Sequence, residues 1–114
     1  MTELVKSSCE ACSTGAPIVT ESGAVEYMRE LSQWKIERVD AVDQLKRSFI
    51  FKNFVDAMAF GVAVGELAET ERHHPAIVIE WGRVAISWWT HKIHGLHKND
   101  FVMAAKTDAI FNNC

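Results

Sequence analysis

Apolar and polar residues alternate along two neighbouring stretches of the chain. Trp34-Lys35-Ile36-Glu37-Arg38-Val39 is the first, and Leu45-Lys46-Arg47-Ser48-Phe49-Ile50-Phe51 the second, with Leu45, Phe49 and Phe51 on one face. A period of two marks half-buried strands, because successive side chains point to opposite faces. Asp40-Ala41-Val42-Asp43 between them suits a hairpin connection. The period then lengthens. Over residues 53–70, Phe54, Met58, Val62 and Leu67 predict the inward stripe of a long helix, and Ala57, Ala59, Gly61, Ala63, Gly65 and Ala68 keep much of the remainder small. Asn53 is a good N-cap, and Asp56 three residues on resembles the far half of a capping box. Alternation returns over residues 76–81 and 83–90, with Gly82 as the tight turn. In the second of these strands Val84, Ile86 and Trp88 face one way; Ala85, Ser87, Trp89 and His91 face the other.

A short helix over residues 23–31, with Val25, Met28 and Leu31 on one side, precedes the first strand. A last helix runs over residues 98–112, capped by His97 or Asn99, with Asp100 suiting the positive end of its dipole. The order α-β-β-α-β-β-α, with strands joined in hairpins, predicts an α+β fold of two layers: a four-stranded antiparallel sheet with helices on one face. Residues 1–22, rich in Ser, Thr, Gly, Cys and Glu, read as an irregular arm, and residues 23–114 as one domain. A tryptophan on each face of strand 83–90 leaves apolar surface that a second copy would shield, and the small-residue side of the helix over residues 53–70, Ala63 included, is expected to meet that copy as well.

Composition narrows the class. The chain has 114 residues, 48% hydrophobic and 24% charged, enough for one soluble domain with a modest core. A net charge of −3 gives no electrostatic footprint for nucleic acid or an anionic membrane. No apolar run suits a bilayer, and the N-terminus lacks a basic-then-apolar leader, so a cytoplasmic location is expected. Three cysteines, an odd number, argue against a closed disulfide framework. Cys9 and Cys12 have Cys-x-x-Cys spacing, the half of a zinc site or a redox pair. No second pair and no strand-helix context accompany them, and they read as non-catalytic.

The chemistry concentrates around His73-His74-Pro75, with His91 and Asp100 downstream. Histidine is the side chain that ordinarily changes charge near neutral pH. Pro75 excludes the helical region for His74, so the pair sits in an extended link. Taken singly, paired histidines are more often solvated or at a helix end, Asp100 is a helix-start residue, and Trp34 is core. His91, His94 and His97 repeat at threes and offer zinc ligands, but Gly95 among them spoils a preformed three-histidine face, and no metal is expected.

The ordered set Glu69, His73, His74, Pro75, aromatic Trp81, His91 and Asp100 resembles the signature of the pterin-4a-carbinolamine dehydratases. The runs Glu69-Thr70-Glu71-Arg72-His73-His74-Pro75 and Thr90-His91-Lys92-Ile93-His94-Gly95-Leu96 carry it, and Phe51-Lys52-Asn53-Phe54 looks like the family's strand-to-helix junction. The resemblance extends from Trp34 to the C-terminus, and the arm looks like an extension of bacterial members. It implies a hydro-lyase that removes water from 4a-hydroxytetrahydropterin, giving quinonoid dihydropterin and recycling tetrahydrobiopterin for an aromatic amino acid hydroxylase, as in phenylalanine hydroxylation. It implies no cofactor, the pterin being the substrate, and a homo-oligomer, dimer or tetramer. His73 and His91 would serve as acid and base, in unassigned order, and His74 would bind and orient the hydroxyl. Asp100 would hold a histidine's second nitrogen, Trp34 would wall the pterin, and Glu69 would lie at the rim. Such groups suit the chemistry, which delivers one proton to a leaving hydroxyl and removes another from a ring nitrogen. Two other readings compete: a dimerisation partner of a regulatory protein, and a histidine-based metal protein.

Overall fold

Asp40 and Ala41 both take positive φ, 51° and 67°, and fold the chain back in two residues. Two left-handed central residues match the twist of a hairpin's flanking strands. The computed structural model, which describes residues 4–6 and 17–113, thus opens its sheet with β1 (Lys35–Val39) and β2 (Val42–Ile50), in register from Val39↔Val42 to Lys35↔Lys46. The predicted four-residue connection shrinks to two, and β2 starts three residues earlier than its alternation suggests. Next, β2 pairs with β4 (Arg83–Trp88), and β4 with β3 (Ala76–Glu80). The order is β1-β2-β4-β3, antiparallel throughout. The turn between β3 and β4 does fall at Trp81-Gly82, but Gly82 has no positive φ. A glycine is needed there because a Cβ would stand 3.0 Å from the Phe51 carbonyl oxygen. β4 stops at Trp88, two residues short of expectation, because Thr90 turns away to bridge Gly95.

The helices are α1 (Glu21–Met28), α2 (Phe54–Glu71) and α3 (Lys98–Asn112). The chain therefore has the predicted order and α+β class. α1 begins two residues before its predicted start, because the Thr20 hydroxyl accepts the Gly23 N–H at 3.1 Å. It buries no residue completely, and Val25 is 61% exposed. Leu31, read as its last inward residue, is buried just beyond its end. Part of the arm joins the core: Leu4 in the short 3-10 turn Leu4–Lys6 is buried, and the Lys106 ammonium donates to the Val5 carbonyl at 3.0 Å. Cys9, Cys12 and Cys114 lie outside the described residues. Among the described residues no helix is long and apolar enough to cross a membrane.

α2 is capped as predicted, with the Asn53 side chain accepting the Asp56 N–H at 2.7 Å, but its faces are reversed. Ala57, Phe60, Gly61, Val64 and Ala68 are the buried residues, while Phe54, Met58 and Val62 are 40–51% exposed; Leu67 alone of the expected stripe packs on the core. The reason is distance. A Cβ on Gly61 would meet Ile79 Cδ1 at 2.5 Å, so α2 lies nearly on β3, and only small residues fit at that crossing. Of the small side, expected to meet another subunit, Ala57, Gly61 and Ala68 are buried within the chain, Gly61 against its own sheet. The core fills the space between sheet and helices, with Leu45, Phe49, Val84, Ile86 and Trp88 from the sheet and Phe101, Val102 and Met103 from α3.

Candidate active site

α2 ends at Arg72, which takes a left-handed φ of 55°. Left-handed termination returns N–H groups to the helix's last carbonyls. The N–H of Arg72 reaches the Glu69 carbonyl at 3.3 Å, and that of His73 reaches the Ala68 carbonyl at 3.1 Å. An extended link, residues 73–75, then leads into β3. Neighbouring side chains of extended backbone point opposite ways. His73 therefore turns inward, 6% exposed, and His74 turns outward.

The inward imidazole meets Asp100, which α3 delivers from its first turn. His73 Nε2 lies 2.6 Å from Asp100 Oδ1, and Asp100 is fully buried. The other carboxylate oxygen accepts the Thr90 hydroxyl at 2.8 Å and the His97 backbone N–H at 2.9 Å. That last bond is half of a capping box, since His97 caps α3 and its Nδ1 accepts the Asn99 N–H at 3.0 Å. One carboxylate thus starts a helix and orients a histidine. A carboxylate only accepts, so His73 donates from Nε2, which fixes its tautomer. Trp88 stacks on the same imidazole, with ring centroids 5.8 Å apart and planes 11° apart. Trp88 is itself fully buried, and its indole N–H donates to the Thr107 hydroxyl at 3.2 Å.

The outward histidine has a different partner. His74 Nε2 lies 2.8 Å from Glu69 Oε2, one turn back along α2, and both side chains are largely exposed. His91 comes from the loop after β4. Thr90 and Gly95 bridge across the loop, His91–Ile93 forms one 3-10 turn, and His94 follows at φ 51°. The His91 side chain is exposed and stacks on Trp89 at 4.5 Å. His91, His94 and His97 do not form one face: the first two are exposed on the loop, and the third is buried as a helix cap. Among the described residues no three His, Cys, Asp or Glu side chains converge as a metal would need.

Trp34 is placed apart from these groups. It is 4% exposed, packs edge-on against Phe49, and donates its indole N–H to Asp108 Oδ1 at 2.8 Å. Arg47 donates to the same oxygen at 2.6 Å, and its guanidinium lies 4.2 Å from the centre of the Phe49 ring. Burial pushes the Asp108 carboxyl above its ordinary value; the Trp34 bond and Arg47 offset only part of that. Trp81, the signature's aromatic position, is 69% exposed at the β3–β4 turn.

The structure therefore pairs His73 with Asp100 and His74 with Glu69, and leaves Trp34 with Asp108. Sequence reasoning gave no role to Thr90, Trp88 or Trp89, and it named His97 as a candidate cap of the last helix without joining it to Asp100. Thr90 precedes His91 directly, and His97 stands three residues before Asp100 at capping-box spacing, so those two were within reach. The two tryptophan stacks join rings whose mutual placement follows from the sheet and loop geometry.

The model of the family described as pterin 4 alpha carbinolamine dehydratase matches residues 17–110. A protein of Chlorobium luteolum, provisionally named a pterin-4-alpha-carbinolamine dehydratase, is 53% identical over 111 residues, covering 97% of each chain. One of Saccharophagus degradans with the same provisional name is 52% identical over 111 residues, covering 97% of this chain and 98% of that one. The crystal structure of a transcriptional coactivator/pterin dehydratase from Brucella melitensis superposes with a TM-score of 0.73 at 35% identity, covering 82% of this chain and 98% of that one. A pterin dehydratase-like RuBisCO assembly factor of the alpha-carboxysome shares the fold, with a TM-score of 0.59 at 24% identity over 68% of this chain and 88% of that one.

Proposed function

The chain belongs to the pterin-4-alpha-carbinolamine dehydratase family, and from that premise we propose that it dehydrates 4a-hydroxytetrahydropterin to quinonoid dihydropterin. The observation that carries this reading is the His73–Asp100 pair, joined inside the fold at 2.6 Å and continued outward by His74 on the same extended link. The reaction is a balanced elimination. The C4a–O bond breaks as the hydroxyl takes a proton and leaves as water; N5 gives up its proton, and a C4a–N5 double bond forms. No electron acceptor is required. Two positioned acid–base groups suffice, each contributing about 10²–10⁴-fold. His73 and His91 take these roles. Asp100 keeps the first in one tautomer, while exposed His74, steadied by Glu69 at the rim, orients the hydroxyl.

The substrate of this reaction is what an aromatic amino acid hydroxylase leaves behind, so the protein would serve such an enzyme. The decisive assay follows the decay of freshly generated 4a-hydroxytetrahydropterin with and without the protein, in buffer and in chelator. Acceleration unaffected by chelation is expected. A decay rate equal to the uncatalysed one would overturn the reading. Loss of activity in chelator, restored by zinc, would replace it with a metal mechanism.

A homo-oligomer, dimer or tetramer, belongs to the same proposal. The outer stripe of α2 supports it, with Phe54, Val55, Met58 and Val62 on one side of the helix and Val55 75% exposed. Contiguous apolar surface of this kind is usual at interfaces.

A further inference from the structure

The three signature histidines are held in three different ways. His73 rests on a buried carboxylate and His74 on an exposed one. His91 has neither: among the described residues its imidazole makes no hydrogen bond or ion pair. What it touches is the face of Trp89, with centroids 4.5 Å apart and planes 28° apart. Trp89 itself is partly buried and packed against the core, so a fixed ring carries an otherwise unanchored one.

We infer that Trp89 is the positioning residue for His91, orienting the imidazole by stacking so that its nitrogens stay open to the substrate. The inference deepens the dehydratase reading and rests on it. The backbone of His91 is already constrained, because the Thr90 N–H bonds to the Gly95 carbonyl at 2.9 Å and the His94 N–H to the His91 carbonyl at 3.3 Å. The side-chain torsions remain to be fixed, and an aromatic face restricts them without occupying a nitrogen. A carboxylate would hold one nitrogen, as Asp100 does for His73. The stack also acts on charge. When His91 carries a proton during turnover, its imidazolium lies over the negative face of the indole, a cation–π contact that lowers the cost of that state. Contacts of this class correspond to about two- to thirtyfold in rate.

The test uses the full chain with Trp89→Phe and Trp89→Ala, alone and combined with His91→Ala. In the parent, the ring protons of His91, identified by their absence in His91→Ala, should resonate upfield in the NMR spectrum because they lie over the indole. Trp89→Ala should abolish that displacement and lower kcat about tenfold, within the cation–π range, with a smaller change in KM. Trp89→Phe should retain most of both signals. In the His91→Ala background, Trp89→Ala should cost nothing more, as expected of a residue that acts through another. No upfield displacement in the parent, an unchanged kcat in Trp89→Ala, or an equal further loss in the double variant would overturn the inference. A parent without dehydratase activity would defeat the functional reading instead, and the resonance positions would still decide whether the stack exists.

Discussion

Replacing Asp100 by asparagine should invert the tautomer of His73 while leaving the fold in place. Asp100 is fully buried and accepts at both oxygens: His73 Nε2–H on Oδ1 at 2.6 Å, and the Thr90 hydroxyl and His97 N–H on Oδ2 at 2.8 and 2.9 Å. The His97 backbone can only donate, so the asparagine oxygen must stay on that side. The new amide NH2 then faces His73 Nε2, which must accept, and the imidazole proton moves to Nδ1. Charge-assisted bonds become neutral ones, a loss of about 1–2 kcal/mol in stability. That is tolerable for a domain of about 5–15 kcal/mol. The wrong tautomer removes an acid–base group worth about 10²–10⁴-fold, or about 3–5 kcal/mol of transition-state stabilisation. Asp100→Ala is less informative. It strands three buried donors at about 1–3 kcal/mol each, enough to threaten folding. The assay is turnover of 4a-hydroxytetrahydropterin by Asp100→Asn beside denaturant unfolding, with nitrogen NMR reporting the His73 tautomer. If the variant shows the inverted tautomer yet keeps kcat within about threefold of the parent, His73 is not an acid–base group and the pair with Asp100 is structural.

Other expectations follow from the same structure. His73→Ala and His91→Ala should each lower turnover by about 10²–10⁴-fold, and His74→Ala should raise KM more than it lowers kcat; near-normal turnover in both of the first two variants would sink the assignment. Gly61→Leu should destabilise the protein by about 1–3 kcal/mol or more, because even a Cβ there would meet Ile79 at 2.5 Å; denaturant unfolding measures it, and unchanged stability would mean that α2 sits farther from β3. The raised pKa of Asp108 means that the folded chain binds its proton more tightly than the unfolded one. Its contribution to stability is therefore full below the ordinary value of 3.8 and is lost as pH rises from there through its folded value. The stability of the parent minus that of Asp108→Asn should fall across this window, and a difference that rises with pH would contradict the burial argument. Val55→Arg, on the outer stripe of α2, should dissociate the proposed oligomer in sedimentation at micromolar concentration. Ala63→Arg should instead disturb the cavity that residue 63 lines with Phe51, Phe60 and Phe111; a parent that sediments as a monomer would refute self-association.

The sequence by itself determined the elements and their order. Period-two alternation marked the strands, Asn53 marked the start of α2, and residues 98–112 gave α3 with its cap, because these signals are local: side-chain periodicity and caps depend on neighbours a few residues away. Pro75 likewise made the His73–His74 link extended, and alternation along that link sends one histidine in and the other out. Only the tertiary structure decided which face of α2 is buried. The helix offers an apolar stripe through Phe54, Met58 and Val62 and a small one through Ala57, Gly61 and Ala68, and composition favours the larger residues. Close approach to Ile79 on β3 selects the smaller ones. The same holds at the site. Asp100 is legible as a helix-start residue, yet His73, 27 positions earlier, is its partner only because α3 and the end of α2 meet at β4. Trp34 finds Asp108 across 74 positions for the same reason. Burial and pairing depend on how closely distant elements pack, and packing distance is a property of the assembled layers.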